Sequence, residues 1–227
     1  MASRFVSRAV SFPARWPYSP SDFTMDEGVD TNFYTFPRLV NHIDDNAIIN
    51  LRRYYGQNIK PESSVLDIAS SWVSHLPEDL KLSRVTGIGL NKTELEANPR
   101  LDGGKVVKDL NVDTSFPIED GSVDAVICNV SIDYLTKPRE VCLEAARVLR
   151  PGGTLHLAIS NRCFPTKVIG RWLRMEEEER LEMVAAYMHF AAAEDGSRAV
   201  FKDIQIVEVV KPTWGADPLN VVRGTRI

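Results

Sequence analysis

The chain reads as an α/β protein built on one doubly wound, mostly parallel sheet of seven strands that ends in a C-terminal antiparallel hairpin. Three observations predict this. From about residue 63, short β-branched apolar runs bounded by turn signals alternate with helical patterns, as in a sheet covered on both faces. The helices carry recognisable caps and stops. The last two strand-like runs are joined only by Lys211-Pro212-Thr213-Trp214-Gly215-Ala216-Asp217-Pro218, too short for a crossover helix, so they pair antiparallel.

The elements follow in order. Before the alternating pattern, the first 21 residues carry Arg4, Arg8 and Arg15 with several serines and no acid before Asp22. That composition suits a mitochondrial transit peptide, but Pro13, Pro17 and Pro20 prevent a long amphipathic helix and favour a loosely held arm. The expected compartment is the cytoplasm, with the mitochondrion as alternative. Asp44 or Asp45 caps a helix through Tyr55, whose stripe of Ile48, Leu51 and Tyr55 is a packing face. The expected division is an arm and lid segment over residues 1–43, then one domain over 44–227.

Within that domain, Ser64–Ala69, Val85–Leu90, Lys105–Lys108, Val123–Val130 and Thr154–Ser160 read as five strands, each opening a β/α unit. Asn91 with Glu94 three residues on caps a helix that Pro99 closes. Thr136 and Pro138 open the next, which ends at Arg150-Pro151-Gly152-Gly153. Residues 176 to about 193 form a long helix whose first-turn acids, Glu176 to Glu179, complement the helix dipole. Ala199–Val210 and Leu219–Arg223 make the closing hairpin.

Composition narrows the function. The 227 residues are 44% hydrophobic and 26% charged, a balance that supports a substantial core. A net charge of −4 argues against a nucleic-acid binder. No apolar run approaches the ~18 residues of a membrane span. Cys128, Cys142 and Cys163 form no metal-ligand spacing, so reduced thiols and no metal site are expected.

In open α/β sheets a ligand sits beyond the carboxyl ends of the strands, beside the first of them. Here that place holds Asp67-Ile68-Ala69-Ser70-Ser71-Trp72, with alanine and serines where a nucleotide loop carries glycines. The small side chains still permit close approach, and the hydroxyls of Ser70 and Ser71 can donate hydrogen bonds. A purely structural strand-to-helix turn is the alternative.

Val65-Leu66-Asp67, Val85-Thr86-Gly87-Ile88-Gly89-Leu90-Asn91, Lys108-Asp109-Leu110, Gly121-Ser122-Val123-Asp124-Ala125-Val126 and Arg147-Val148-Leu149-Arg150-Pro151-Gly152-Gly153 fall in one order. This series resembles the class I S-adenosylmethionine-dependent methyltransferases, the type 11-like group, over roughly residues 60 to 162. The resemblance implies a Rossmann-like sheet and S-adenosylmethionine as cofactor. It implies that Asp67 orders the loop around the methionine moiety, that Asp109 accepts from the adenine amine with Leu110 on the ring, and that Asn129, Val130 and Ser131 lie below the sulfonium. It also exposes a departure: the acid that commonly grips the ribose hydroxyls is replaced by Gly89. Asn91 is a partial substitute or a helix cap.

In the same family the N-terminal segment often folds over the cofactor. Arg38 then pairs with the methionine carboxylate and Tyr34 covers the sulfur; on the alternative reading Arg38 pairs with Asp44 or Asp45. His42, His75, Asp133 and Tyr134 are the catalytic candidates, since an oxygen or nitrogen acceptor can need a base. Trp72, Asn161 and Arg162 are the substrate candidates, Arg162 for a polar or anionic small molecule. A non-catalytic scaffold of the same fold is one alternative. A nicotinamide-dependent oxidoreductase is another, though it lacks the glycine fingerprint and a strand-two acid.

Overall fold

The computed structural model describes residues 5–25 and 36–227. The strands are β1 (Val6–Ala9), β2 (Ser64–Ile68), β3 (Arg84–Gly89), β4 (Gly104–Val107), β5 (Val123–Asn129), β6 (Leu149–Ser160), β7 (Phe201–Val210) and β8 (Leu219–Arg226). They form one sheet in the order β1-β7-β8-β6-β5-β2-β3-β4. Strands β2 to β6 are mutually parallel. The hairpin β7–β8 joins antiparallel to β6, as its short connection requires.

The sheet has eight strands where seven are expected, because the N-terminal segment supplies β1. Val6 to Ala9 pair antiparallel with Glu208 to Gln205 on the free edge of β7. All four of these residues are exposed, so no apolar alternation marks the strand in the sequence. It exists because an open edge offers unpaired backbone groups. Part of the segment expected as a separate arm is therefore built into the domain.

Alternation along the strands sorts the core onto two faces. Leu66, Ile68, Val126 and Cys128 face the helices α3 (Pro138–Val148) and α4 (Glu177–His189). Val65, Ala125 and Ile127 face α1 (Asp45–Asn58) and α2 (Lys92–Ala97). On that second face His156 is fully buried, and its ring nitrogens meet Tyr54 Oη and Thr154 Oγ1, each at 2.8 Å. Burial pushes its pKa down to about 3, so it is a neutral core histidine.

The expectation of five complete β/α units is corrected in two places. The crossovers 69–83 and 108–122 contain no helix. Serines, β-branched Val73 and Pro77 break helical periodicity in the first; Asp109, Asp113, Pro117 and Gly121 do so in the second. The first of these helix-free crossovers forms one wall of the site.

Candidate active site

The chain runs β2-β3-β4 outward on one side and returns with β5 on the other side of β2. That switch point is where the open α/β sheet leaves a crevice. A cavity of about 350 Å³ opens there, within the ~300–1,000 Å³ usual for small-ligand sites.

Asp67, near the carboxyl end of β2, is buried at 1% exposure. Ser70 Oγ donates to its Oδ2 at 2.8 Å, while its Oδ1 is buried without a hydrogen bond. Burial pushes its pKa up to about 7, against the pull of the Ser74 and Ser70 hydroxyls. His75 is also buried, with Nδ1 unpartnered and its pKa pushed down to about 4 by desolvation and by Arg52. Both residues line the cavity. So do Ala69, His75 and Val130, whose φ values of 49°, 52° and 43° put non-glycine residues in the left-handed region. Each such residue costs on the order of 1–3 kcal/mol, and strain of this kind collects at functional sites.

The loop after β2 lies hard against the end of β3. Ser70 N donates to Ile88 O at 2.8 Å, and a Cβ on Gly89 would sit 2.1 Å from Ser70 O. No side chain fits at Gly89, so a ribose-gripping acid is excluded there by backbone packing. Asn91 acts as the cap of α2, its Oδ1 accepting from Glu94 N at 3.1 Å. Ser71 does not offer its hydroxyl to the open cavity but donates to Glu94 Oε2 at 2.6 Å. Arg38 N donates to Glu94 Oε1 at 2.8 Å. Glu94 is thus a cavity-wall acid that sequence reasoning used only as a helix-capping residue.

Asp109 and Leu110 line the neighbouring wall, and Asp109 Oδ1 accepts from Asn111 N at 2.8 Å. At the end of β5, Asn129 is fixed from both sides. Tyr55 Oη donates to its Oδ1 at 2.6 Å, and its Nδ2 donates to Ser74 O at 3.1 Å. Ser131 Oγ donates to Asn129 O at 2.9 Å, tightening the turn that holds Val130.

Another part of the cavity wall gathers around Phe164, which sequence reasoning did not single out. His42 meets its ring edge-on at 5.4 Å, Tyr134 lies at 6.0 Å, and the Arg38 guanidinium sits over it at 5.3 Å. Tyr134 Oη accepts from Phe164 N at 2.8 Å. Partial burial holds the His42 pKa below its ordinary value, with Glu94 pulling upward and Arg38 downward. Trp72 Nε1 donates to Val40 O at 3.1 Å, joining the crossover to the N-terminal segment. Arg162 Nε donates to Asp217 Oδ1 at 2.7 Å. Asp217 is itself locked to Asp44, the backbone N–H of each donating to the carboxylate of the other at 2.9 and 2.7 Å.

Two expected residues are not brought here. Asp133 is buried but does not line the cavity, because the turn Ile132–Tyr134 sends Tyr134 to the pocket and Asp133 inward. Asn161 is exposed and also outside the lining. Tyr34 lies outside the described residues. Among the described residues, no group of three or more His, Cys, Asp or Glu is arranged to hold a metal ion.

A strand-order reversal with a cavity at the carboxyl ends of β2, β3 and β5 defines a Rossmann-like α/β protein. Residues 66–157 match the family model described as a methyltransferase domain. Among solved structures, a SAM-dependent methyltransferase from Aquifex aeolicus is 15% identical with a TM-score of 0.55, covering 92% of this chain and 100% of that one. One from Thermotoga maritima is 17% identical with a TM-score of 0.52, covering 80% and 90%. The [4+2]-cyclase SpnF is 15% identical with a TM-score of 0.50, covering 86% and 91%. No functionally curated protein matches the chain in sequence.

The residues present fit S-adenosylmethionine, the cofactor that the sequence resemblance implies. Asp67 lines the cavity with one carboxylate oxygen buried and unpartnered, and a carboxylate in that state suits a ligand bearing an ammonium group. Leu110 offers an apolar surface beside the Asp109 carboxylate.

Proposed function

We propose that this chain transfers a methyl group from S-adenosylmethionine to a small-molecule acceptor bound at the Phe164 end of the cavity. The observation that carries the reading is the cavity at the carboxyl ends of β2, β3 and β5, lined by Asp67, whose buried Oδ1 has no hydrogen-bond partner. When bound, the cofactor supplies an electrophilic methyl on a sulfonium. Asp67 would accept from its ammonium, Asp109 from its adenine amine, and Leu110 would pack on the ring. Asn129, held by Tyr55 and Ser74, would keep the turn at Val130 and Ser131 fixed beneath the reacting centre.

The acceptor side is built from His42, Tyr134, Arg162, Trp72 and Phe164. Asp217 holds Arg162 by Nε, which leaves the guanidinium's terminal nitrogens to meet a carboxylate or phosphate on the acceptor. His42 and His75 are both held toward the neutral form, the state in which an imidazole can take a proton from an acceptor hydroxyl or amine. Ordering such an acceptor in line with the methyl supplies most of the rate effect in a transfer of this kind.

A non-catalytic scaffold is the second reading, favoured by the closure of the Ser70 carbonyl onto Gly89. Titration calorimetry with S-adenosylmethionine and S-adenosylhomocysteine separates the two. Saturable binding of both, followed by transfer of labelled methyl from the cofactor to a component of a small-metabolite pool, is the expected result. Binding without transfer supports the scaffold, and no heat with either ligand overturns the proposal.

A further inference from the structure

Resting on that cofactor reading, we propose that Glu94 is the residue that grips the ribose hydroxyls, a task displaced from the end of β3 to the first turn of α2. In dinucleotide-binding sheets the ribose is held by an acid at the end of the second parallel strand. Here that position is Gly89, and a Cβ there would lie 2.1 Å from Ser70 O and 3.1 Å from Leu95 Cδ2. The first contact is with backbone, so no side-chain rearrangement makes room for an acid.

Glu94 is the next acid along the chain, and it lines the same cavity as Gly89 and Asn91. It is 8% exposed, and its carboxylate is held from two sides. Arg38 N donates to Oε1 at 2.8 Å and Ser71 Oγ to Oε2 at 2.6 Å, while the Asn91 cap fixes its backbone N–H at 3.1 Å. An ionised carboxylate has about four acceptor sites, so with these two bonds made each oxygen retains one. Two fixed acceptors on one carboxylate match a vicinal pair of hydroxyls.

The other acids of the cavity are less suited. Asp109 lies beyond the neighbouring strand β4 and already accepts from Asn111 N at 2.8 Å. Asp67 offers a single unpartnered oxygen. Glu94 also links the cofactor loop, through Ser71, to the N-terminal segment, through Arg38. Occupation of the ribose site would therefore bear on both.

The test measures binding of S-adenosylhomocysteine and of its 2′,3′-dideoxyribosyl counterpart by calorimetry. In the wild type the dideoxy ligand should bind about tenfold or more weakly, the worth of a charge-assisted hydrogen bond. In Glu94→Gln the parent ligand should weaken by a similar factor and the discrimination should fall close to unity. Ser71→Ala, which leaves the carboxylate in place, should keep the discrimination. If Glu94→Gln does not fold, Glu94→Asp, which withdraws the carboxylate by one methylene, should show the same loss. Equal discrimination in wild type and Glu94 variants, or none in the wild type, overturns the assignment. Failure of the wild type to bind S-adenosylhomocysteine at all overturns the cofactor reading itself, and this inference with it.

Discussion

Asp67 shows what a single buried carboxylate does at this site. Its pKa of about 7 lies above the ordinary carboxylate value, so the folded chain holds a proton that the unfolded chain releases near pH 4. An acid raised in this way contributes stability below the unfolded value, and that contribution is lost as pH rises from about 4 through about 7. Asp133, also pushed up to about 7 by burial, acts in the same direction. A ligand ammonium against Oδ1 favours the ionised form, so binding releases a proton. Affinity for S-adenosylhomocysteine should therefore rise between about pH 6 and about pH 8 in the wild type and stay nearly flat in Asp67→Asn. Calorimetry across that range checks it, and parallel slopes for both proteins remove Asp67 from the ammonium contact. Asp67, Asp109 and Asn129 were legible in the sequence because they end or follow apolar strands. Glu94 and Phe164 were not, since a capping acid and a loop aromatic give no local sign of facing a cavity.

The elements most readable in advance are those with a local mechanism. Asp44 caps α1 by accepting from Ala47 N at 2.7 Å, and Asn91 caps α2. The four acids expected at the start of α4 are there, Glu176 at its cap and Glu177 to Glu179 in the first turn. The N-terminal arm is the opposite case. Phe12 stacks on His189 with ring centroids 4.1 Å apart, and Trp16 packs against Phe23, Tyr187 and Phe190 under the Arg139 guanidinium. Trp16 N also donates to Glu194 O at 2.7 Å. Apart from Phe23, these partners are far away in sequence, so the arm's composition alone suggested only a loose segment. Trp16→Ala should cost about 1.5–3 kcal/mol, the range for burying a large apolar side chain. Urea unfolding followed by far-UV circular dichroism measures it, and an unchanged midpoint would mean that the arm adds nothing to the fold.

At the scale of the whole molecule, the site joins parts that the chain keeps apart. The N-terminal segment meets α2 through Arg38 and Glu94, and the hairpin loop meets α1 through Asp217 and Asp44. A ligand filling the cavity would tie these contacts to the sheet. At a hundredfold excess over its dissociation constant it adds about 2.7 kcal/mol to stability. For a chain of this size that should raise the unfolding midpoint by roughly 5–10 °C. Differential scanning fluorimetry with S-adenosylhomocysteine checks this, using adenine alone as the control ligand. An unmoved midpoint at saturating ligand would contradict binding to the folded state.

The sequence by itself determined the parallel sheet, the closing hairpin, the helix caps and the strand ends where a site must lie. Each of these follows from side-chain period, from proline and glycine sterics, or from a short connection, all of which act over a few residues. Only the tertiary structure decided that an eighth strand covers the edge of β7, and that Asp133 turns inward while Tyr134 reaches the pocket. It alone decided that Ser70 O forbids a side chain at Gly89 and that Glu94 stands in the cavity wall. Those outcomes depend on contacts between segments distant in the chain, which no local pattern encodes.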